Sequence, residues 1–189
     1  MNKKELKALL AEEAKIYFPG KTKIGEARFR HSRNYVLWKA VESLRKYEYA
    51  CAKRDKATNP LALKIRALGV KFADRKRNKN CEKAGVELSP GRIGKNIRIC
   101  HSNVVINGYV GDGCVFHGNN VMGNKRTGES DSVPTLGRGV DVGNGAMIIG
   151  KVNVADNCVI GAGAVVTKSF DVPGTVIAGV PAKAMSERN

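Results

Sequence analysis

The chain has 189 residues, 42% of them hydrophobic and only 6% aromatic, so a core of Val, Ile, Leu and Ala is expected, in one sizeable domain or a domain with an appendage. Its net charge is +16, no run is long and apolar enough for a membrane span, and the start lacks the charged-then-apolar pattern of a secretory leader. Five cysteines with no C-x-x-C pair argue against a disulfide framework or a zinc site, so a reducing compartment, the cytoplasm, is expected.

Residues 1–98 carry 26 Lys/Arg and 10 Asp/Glu, whereas residues 99–189 carry 7 of each, so the whole positive excess lies in the first half. That half reads as helical. "NKKELKALLAEEAKIYF" opens on Asn2 as N-cap and sets Leu6, Leu9, Leu10 and Ile16 to one side. "SRNYVLWKAVESLRKYEYACAK" has Ser32 as cap and a stripe of Val36, Leu37, Ala40, Val41 and Leu44. "NPLALKIRALGVKFADRKRNKN" starts at Asn59-Pro60 and carries a weaker stripe of Leu61, Ile65, Leu68 and Phe72. "LSPG" breaks the pattern near Glu87–Gly91, giving a basic α-helical segment over 1–88 and a second domain over 89–189. The basic segment suits an anionic membrane surface or an acidic polysaccharide. Nucleic acid is disfavoured, because no recognisable nucleic-acid module accompanies it. For any single lysine, a solvated helix face is the commonest explanation.

The second half repeats. From Leu136, every sixth residue is aliphatic: Leu136, Val142, Ile148, Val154, Ile160, Val166 and Val172. Four places after each stands a mostly small apolar residue: Val140, Ala146, Val152, Cys158, Ala164, Phe170 and Val176. A helix would scatter such residues over different faces, so the period excludes a simple amphipathic helix. Glycine or alanine follows many of the aliphatics, as in "LGRGV", "VGNGA" and "IGAGA", where tight corners need them. A short strand and a turn per repeat describe a parallel β-helix of hexapeptides, so the expected fold class is mainly β with an α-helical N-terminal segment.

Upstream, Ile93, Ile99 and Val105 keep the step, and Val110, Phe116 and Met122 resume it after a step of five. The step of 14 from Met122 to Leu136 is two repeats plus two, so a repeat breaks where the polar run "NKRTGESDSVP" stands. Roughly Gly128 to Thr135 are left over and are expected to loop outward beside the histidine face.

The segments "CHSNVVING", "GDGCVFHG", "VGNGAMIIGKV", "IGAGAVVTKSF" and the terminal "AGVPAK" resemble the bacterial hexapeptide-repeat acyltransferases. Within these, the chain is most similar to the serine O-acetyltransferase-like branch, which includes capsular polysaccharide O-acetyltransferases. The resemblance covers Ile93 to Met185, about half the chain. It implies a left-handed β-helix, a homotrimer, and acetyl-CoA as co-substrate in a groove between neighbouring prisms, with no metal. Left-handedness is not derivable from the spacing, since crossovers usually favour the opposite hand.

Acetyl transfer to a hydroxyl needs a base, and histidine suits that role. His31 lies in the basic half; His101 and His117 fall in the middle hexads of successive coils, offset by one place. The resemblance puts the general base at His101. His117 is a candidate to bind substrate or assist the base, or else a polar residue in a stacked row. Backbone amides of the coil turns are expected to hold the oxyanion. A Cys100–His101 nucleophile pair is disfavoured, because adjacent strand residues point to opposite faces. Asp112 and Asp131 are the candidate acidic partners or substrate contacts. By resemblance, Gly145, Ala146, Ala162, Gly163, Lys168 and Pro181 are expected to contact the cofactor; the glycines are equally what tight corners demand. Serine-specific members have an aspartate where Cys100 stands and a second histidine where Val133 stands, so a sugar hydroxyl of a polysaccharide or its precursor is the preferred acceptor. The rivals are serine O-acetyltransferase of cysteine biosynthesis, a non-catalytic β-helical scaffold, and a metal-dependent lyase, for which two histidines make a poor zinc site.

Overall fold

The computed structural model of the chain describes residues 1–20, 32–126 and 132–187. The chain divides into two compact units, Met1–Ala84 and Gly85–Asn189. The first unit contains helices α1 (Lys3–Tyr17), α2 (Arg33–Asp55) and α3 (Pro60–Ala84). All three start where the sequence signals them. Asn2 and Glu5 form a reciprocal capping box on α1, Ser32 Oγ accepts from Tyr35 N–H at 3.2 Å, and Asn59 Oδ1 accepts from Leu61 N–H at 2.8 Å.

Helices α1 and α3 both pack on α2, whose Leu37, Ala40, Val41 and Leu44 are buried as the stripe predicts. Helix α3 departs from its expected packing. Leu61, Ile65, Leu68 and Phe72 are 67%, 61%, 55% and 74% exposed. Opposite that stripe, Asn80 Nδ2 donates to the Lys39 carbonyl and the Arg77 guanidinium lies over the Tyr47 ring, so α2 engages the other side of α3.

The second unit begins at Gly85 rather than residue 89, because strand β1 (Val86–Leu88) already pairs with β3 (Val104–Ile106). Three parallel sheets form a three-sided prism. Face one stacks β1, β3, β6 (Val121–Gly123), β9 (Met147–Ile149) and β12 (Val165–Val166). Face two stacks β4 (Tyr109–Val110), β7 (Thr135–Leu136) and β10 (Asn153–Val154). Face three stacks β2 (Arg98–Ile99), β5 (Val115–Phe116), β8 (Asp141–Val142), β11 (Val159–Ile160) and β13 (Thr175–Gly179); β14 (Ala182–Glu187) then turns back antiparallel on β13. This is the parallel β-helix expected from the hexads, with the left hand that the resemblance implies.

The aliphatic column fills the prism: Ile99, Phe116, Val142 and Ile160 on face three, and Met122, Ile148 and Val166 on face one, all at most 1% exposed. Two positions of the expected column are corrected. Ile106, not Val105, pairs with Met122 and points inward, because the corner between Ile99 and Ile106 holds one residue more than the one between Phe116 and Met122. Val172 is 57% exposed: after β12 the phase shifts again, Phe170 bridges Val154, and Ile177 takes the place beside Ile160.

The corner from face three to face one needs a left-handed residue on every coil. Gly85, Asn103, Asn119, Gly145 and Gly163 stand there, with φ of 63°, 60°, 54°, 72° and 68°. Asparagine is the non-glycine residue that best tolerates this region, which explains why "SNVV" and "GNNV" alternate with "GNGA" and "GAGA".

Candidate active site

The same corner carries the histidines. Ile99 lies beside Phe116, Phe116 beside Val142, Val142 beside Ile160, and Ile160 beside Ile177. The next residues therefore form a column of Cys100, His117, Gly143, Gly161 and Ala178. One place on, the column is His101, Gly118, Asn144, Ala162 and Gly179. His101 and His117 thus lie on adjoining coils, roughly 4.7–4.9 Å apart along the stack and offset by one place, as their spacing implies.

His117 has an acidic partner. Its Nε2 lies 2.8 Å from Asp141 Oδ1 on the next coil, with the two side chains 45% and 34% exposed. A carboxylate only accepts, so the hydrogen-bond network assigns the proton of a neutral His117 to Nε2 and leaves Nδ1 with the lone pair. His101 is exposed at the corner and backs onto Gly118. A Cβ on Gly118 would stand 2.5 Å from His101 Cβ, and its φ of 120° is itself unfavourable for a side chain. A ladder of amides continues beside them: Asn103 Nδ2 donates to Asn119 Oδ1 at 3.0 Å, and Asn119 Nδ2 to Asn144 Oδ1 at 3.5 Å.

On the two following coils, the corner carries one long side chain, that of the exposed Asn144, and is otherwise nearly bare. Gly143, Gly145, Gly161, Ala162 and Gly163 line it, and Ala162 and Gly163 are exposed. A thin chain such as a pantetheine arm matches this strip, since nothing beyond a methyl group projects from these five positions. Pro181 follows the turn at the end of the same columns.

Other sequence candidates fall elsewhere. Ala146 is fully buried, and its N–H donates to the Gly143 carbonyl at 3.2 Å, so its methyl group serves the core. Lys168 stands at the corner between faces one and two, its ammonium 5.6 Å from the Phe170 ring centre. Asp112 lies at the corner between faces two and three, where its Oδ1 accepts from Lys95 N–H at 2.7 Å. Asp131 and His31 lie outside the described residues. The polar interruption falls between β6 and β7, at the corner between faces one and two; its residues 127–131 lie outside the described residues, and within one chain face one separates its described flanks from the histidines. Val133, beside its return, is 5% exposed.

The expected oxyanion donors are not the corner glycines. The N–H groups of Gly118, Gly143, Gly145 and Gly163 already donate to Asn120 Oδ1 and to the carbonyls of Ile160, Gly118 and Asn144. Cys114 and Cys158 are fully buried, and burial pushes the Cys114 thiol up to about 11, which removes it as a nucleophile. Among the described residues, no group of three or more His, Cys, Asp or Glu side chains is arranged to hold a metal ion.

Sequence reasoning missed Asp141 and Asn120. Asp141 is the outward residue before a core valine, which looks like any solvated strand position. Asn120 held a usable signal: it is polar where the equivalent residues of later coils are Ala146 and Ala164.

No family model matches the chain. It is 36% identical over 103 residues to a serine acetyltransferase of Synechococcus elongatus, covering 52% of this chain and 42% of that protein. A galactoside O-acetyltransferase of Escherichia coli is 42% identical over 66 residues, 34% of this chain and 32% of that one. The chain therefore spans less than half the length of these relatives. Among solved structures, serine acetyltransferase from Brucella abortus superposes with a TM-score of 0.74 at 19% identity, covering 99% of this chain and 71% of that one. A serine acetyltransferase in complex with CoA superposes at 0.61 with 23% identity, over 78% of this chain and 56% of that one. By sequence, the repeat half of this chain is similar to serine acetyltransferases and to a galactoside O-acetyltransferase, and its fold is that of the serine acetyltransferase structures.

Proposed function

We propose that the protein is an O-acetyltransferase that moves an acetyl group from acetyl-CoA to a hydroxyl, with L-serine as the leading acceptor. The observation that carries this reading is one prism corner on which two imidazoles precede a strip of glycine and alanine. His101 takes the hydroxyl proton as the oxygen attacks the thioester carbonyl. The C–S bond then breaks, the proton passes to the departing sulfur, and an acetate ester and free CoA result. His117, held by Asp141 through Nε2, keeps Nδ1 as a second proton acceptor and a contact for the acceptor.

Serine takes the place of the sugar preferred from the sequence because most of the similar curated proteins are serine acetyltransferases. A sugar hydroxyl remains the second reading, favoured by Cys100 and Val133 where serine-specific members carry aspartate and histidine, and by the galactoside relative. Thiol release from acetyl-CoA with serine, free sugars and glycans separates the two. His101→Ala is expected to lower kcat by about 10²–10⁴-fold. Wild-type kcat in that variant refutes the mechanism, and absence of acetyl-CoA binding by calorimetry refutes the activity.

A homotrimer agrees with the same reading. The described flanks of the polar run and the histidines stand at different corners, so a site that used both would need a second copy. For the basic unit, an anionic bilayer surface is the favoured partner. Leu61, Ile65, Leu68 and Phe72 form an exposed line along α3, and Lys64, Lys71, Arg75, Lys76 and Lys79 are exposed on the same helix. Apolar side chains facing the acyl boundary, with cations at the phosphate level, is the pattern of an interfacial helix. Self-association of so cationic a helix is opposed by its own charge. Among the described residues no helix is long and apolar enough to cross a membrane. Co-sedimentation with phosphatidylglycerol vesicles, lost in 0.5 M salt (on the order of a 4 Å Debye length) and in a Leu68→Gln/Phe72→Gln variant, is the expected result. Equal binding to neutral vesicles, or none to either, counts against it.

A further inference from the structure

We propose that Asn120 is the positioning residue of this corner: its buried carboxamide fixes the peptide between the two histidines and thereby sets how both imidazoles are presented. The inference rests on the acetyl-transfer reading for its consequence, though not for its geometry.

Val105, Val121, Met147 and Val165 are in register on face one, so the residues before them, Val104, Asn120, Ala146 and Ala164, form an inward column. All four are fully buried, and Asn120 alone of them is polar. Core filling does not explain it, since alanine serves the same place on the next two coils. A buried amide also carries a desolvation penalty unless its hydrogen bonds are satisfied.

They are satisfied on both sides. Asn120 Oδ1 accepts from Gly118 N–H at 2.9 Å, while Nδ2 donates to the Gly143 carbonyl at 2.8 Å and reaches the Ala146 carbonyl at 3.4 Å. Only one orientation of the amide meets a donor with oxygen and two carbonyls with nitrogen, so its sense is determined. One side chain therefore ties the turn after His117 to the corner of the next coil, the coil that carries Asp141.

Gly118 is the pivot. It follows His117 directly, so fixing its N–H fixes the plane of the His117–Gly118 peptide. It also lies against His101, whose Cβ would be 2.5 Å from any Cβ placed on it. On this coil the turn must stay in a glycine-only conformation with φ of 120° while keeping His117 beside Asp141 at 2.8 Å. Without the Asn120 oxygen, the Gly118 N–H would have to find water or reorient, and either change swings the His117 ring and the surface under His101. The coils below need no such tie, because they carry no catalytic candidate at this corner.

The test uses the full chain and two variants. Asn120→Ala matches the later coils sterically; Asn120→Ser keeps a small polar group, and replaces the alanine variant if that one fails to fold. Nitrogen-15 NMR of the imidazoles reads the tautomer of His117 without any acceptor. Wild-type protein is expected to show Nε2–H, and Asn120→Ala a mixture of tautomers. In parallel, kcat should fall on the order of 10²-fold, as for a misplaced reacting group, with KM for acetyl-CoA unchanged to within about twofold. Asn120→Ser should recover part of both. A folded variant with wild-type His117 tautomer and wild-type kcat overturns the proposal, even if its melting temperature is lower, because that outcome marks a purely structural amide. If wild-type protein transfers no acetyl group to any acceptor, the functional reading fails while the tautomer measurement still decides the positioning role.

Discussion

Arg45 is 2% exposed, yet carries a full charge into the helical unit. Its Nη2 and Nε donate to Glu13 at 2.9 and 3.1 Å, and Glu13 is fully buried. Burial alone would pull the guanidinium pKa down; hydrogen bonding and charge from Glu13, then Glu48, more than reverse it, and it ends above its ordinary value. A buried pair adds little net stability over well-packed apolar residues, but breaking it strands a charge. Glu13→Ala is therefore expected to destabilise the helical unit by about 3–5 kcal/mol, and Glu13→Gln by less, because the amide oxygen still accepts. Urea unfolding followed by Trp38 emission checks this, since Trp38 is the chain's single tryptophan and is 4% exposed. An unchanged midpoint in Glu13→Ala would contradict it. Such pairs escape sequence reading because nothing local says that a glutamate on one helix will meet an arginine 32 positions later.

At the level of elements, local signals predicted starts and faces well, but not partners. The caps at Asn2, Ser32 and Asn59 act through the first turn only, so four residues of sequence contain the information. The hexad likewise repeats one local shape, and the columns from Leu136 to Val166 follow it directly. Errors cluster where the period slips. Counting puts Val105 and Val172 inward, whereas the chain places Ile106 and Phe170 there, because a residue more or fewer in a corner moves the inward position along the strand. The α3 stripe shows another limit. Spacing identifies an apolar face and leaves open whether anything covers it; Phe72 is 74% exposed. The candidate corner is legible in its histidines and glycines, which share a motif, and not in Asp141 and Asn120, whose contacts exist only across coils. Hexad counting gives a repeat number and not the corner at which a break falls, and residues 127–131 of the polar run lie outside the described residues.

Across the whole molecule, charge and architecture divide at nearly the same place: the basic excess ends at residue 98 and the prism begins at Gly85. The prism itself is built by addition, each coil offering its backbone to the next, and such a stack has no intrinsic length. Strand β14 closes the stack on face three. It runs against β13 in the reverse direction, with an irregularity between Val176 and Ile177 and with Lys183 and Met185 exposed. A parallel coil from another molecule meets a hydrogen-bond pattern of the wrong sense and a lysine at the terrace. Removing residues 182–189 should therefore convert a discrete particle into end-to-end growth, seen as rising light scattering and thioflavin fluorescence at constant helical signal. A truncated chain that stays the same size in sedimentation would refute this. The closing hairpin thus acts as a terminator of polymerisation: the periodicity that makes this chain easy to build is also what would make it a fibre.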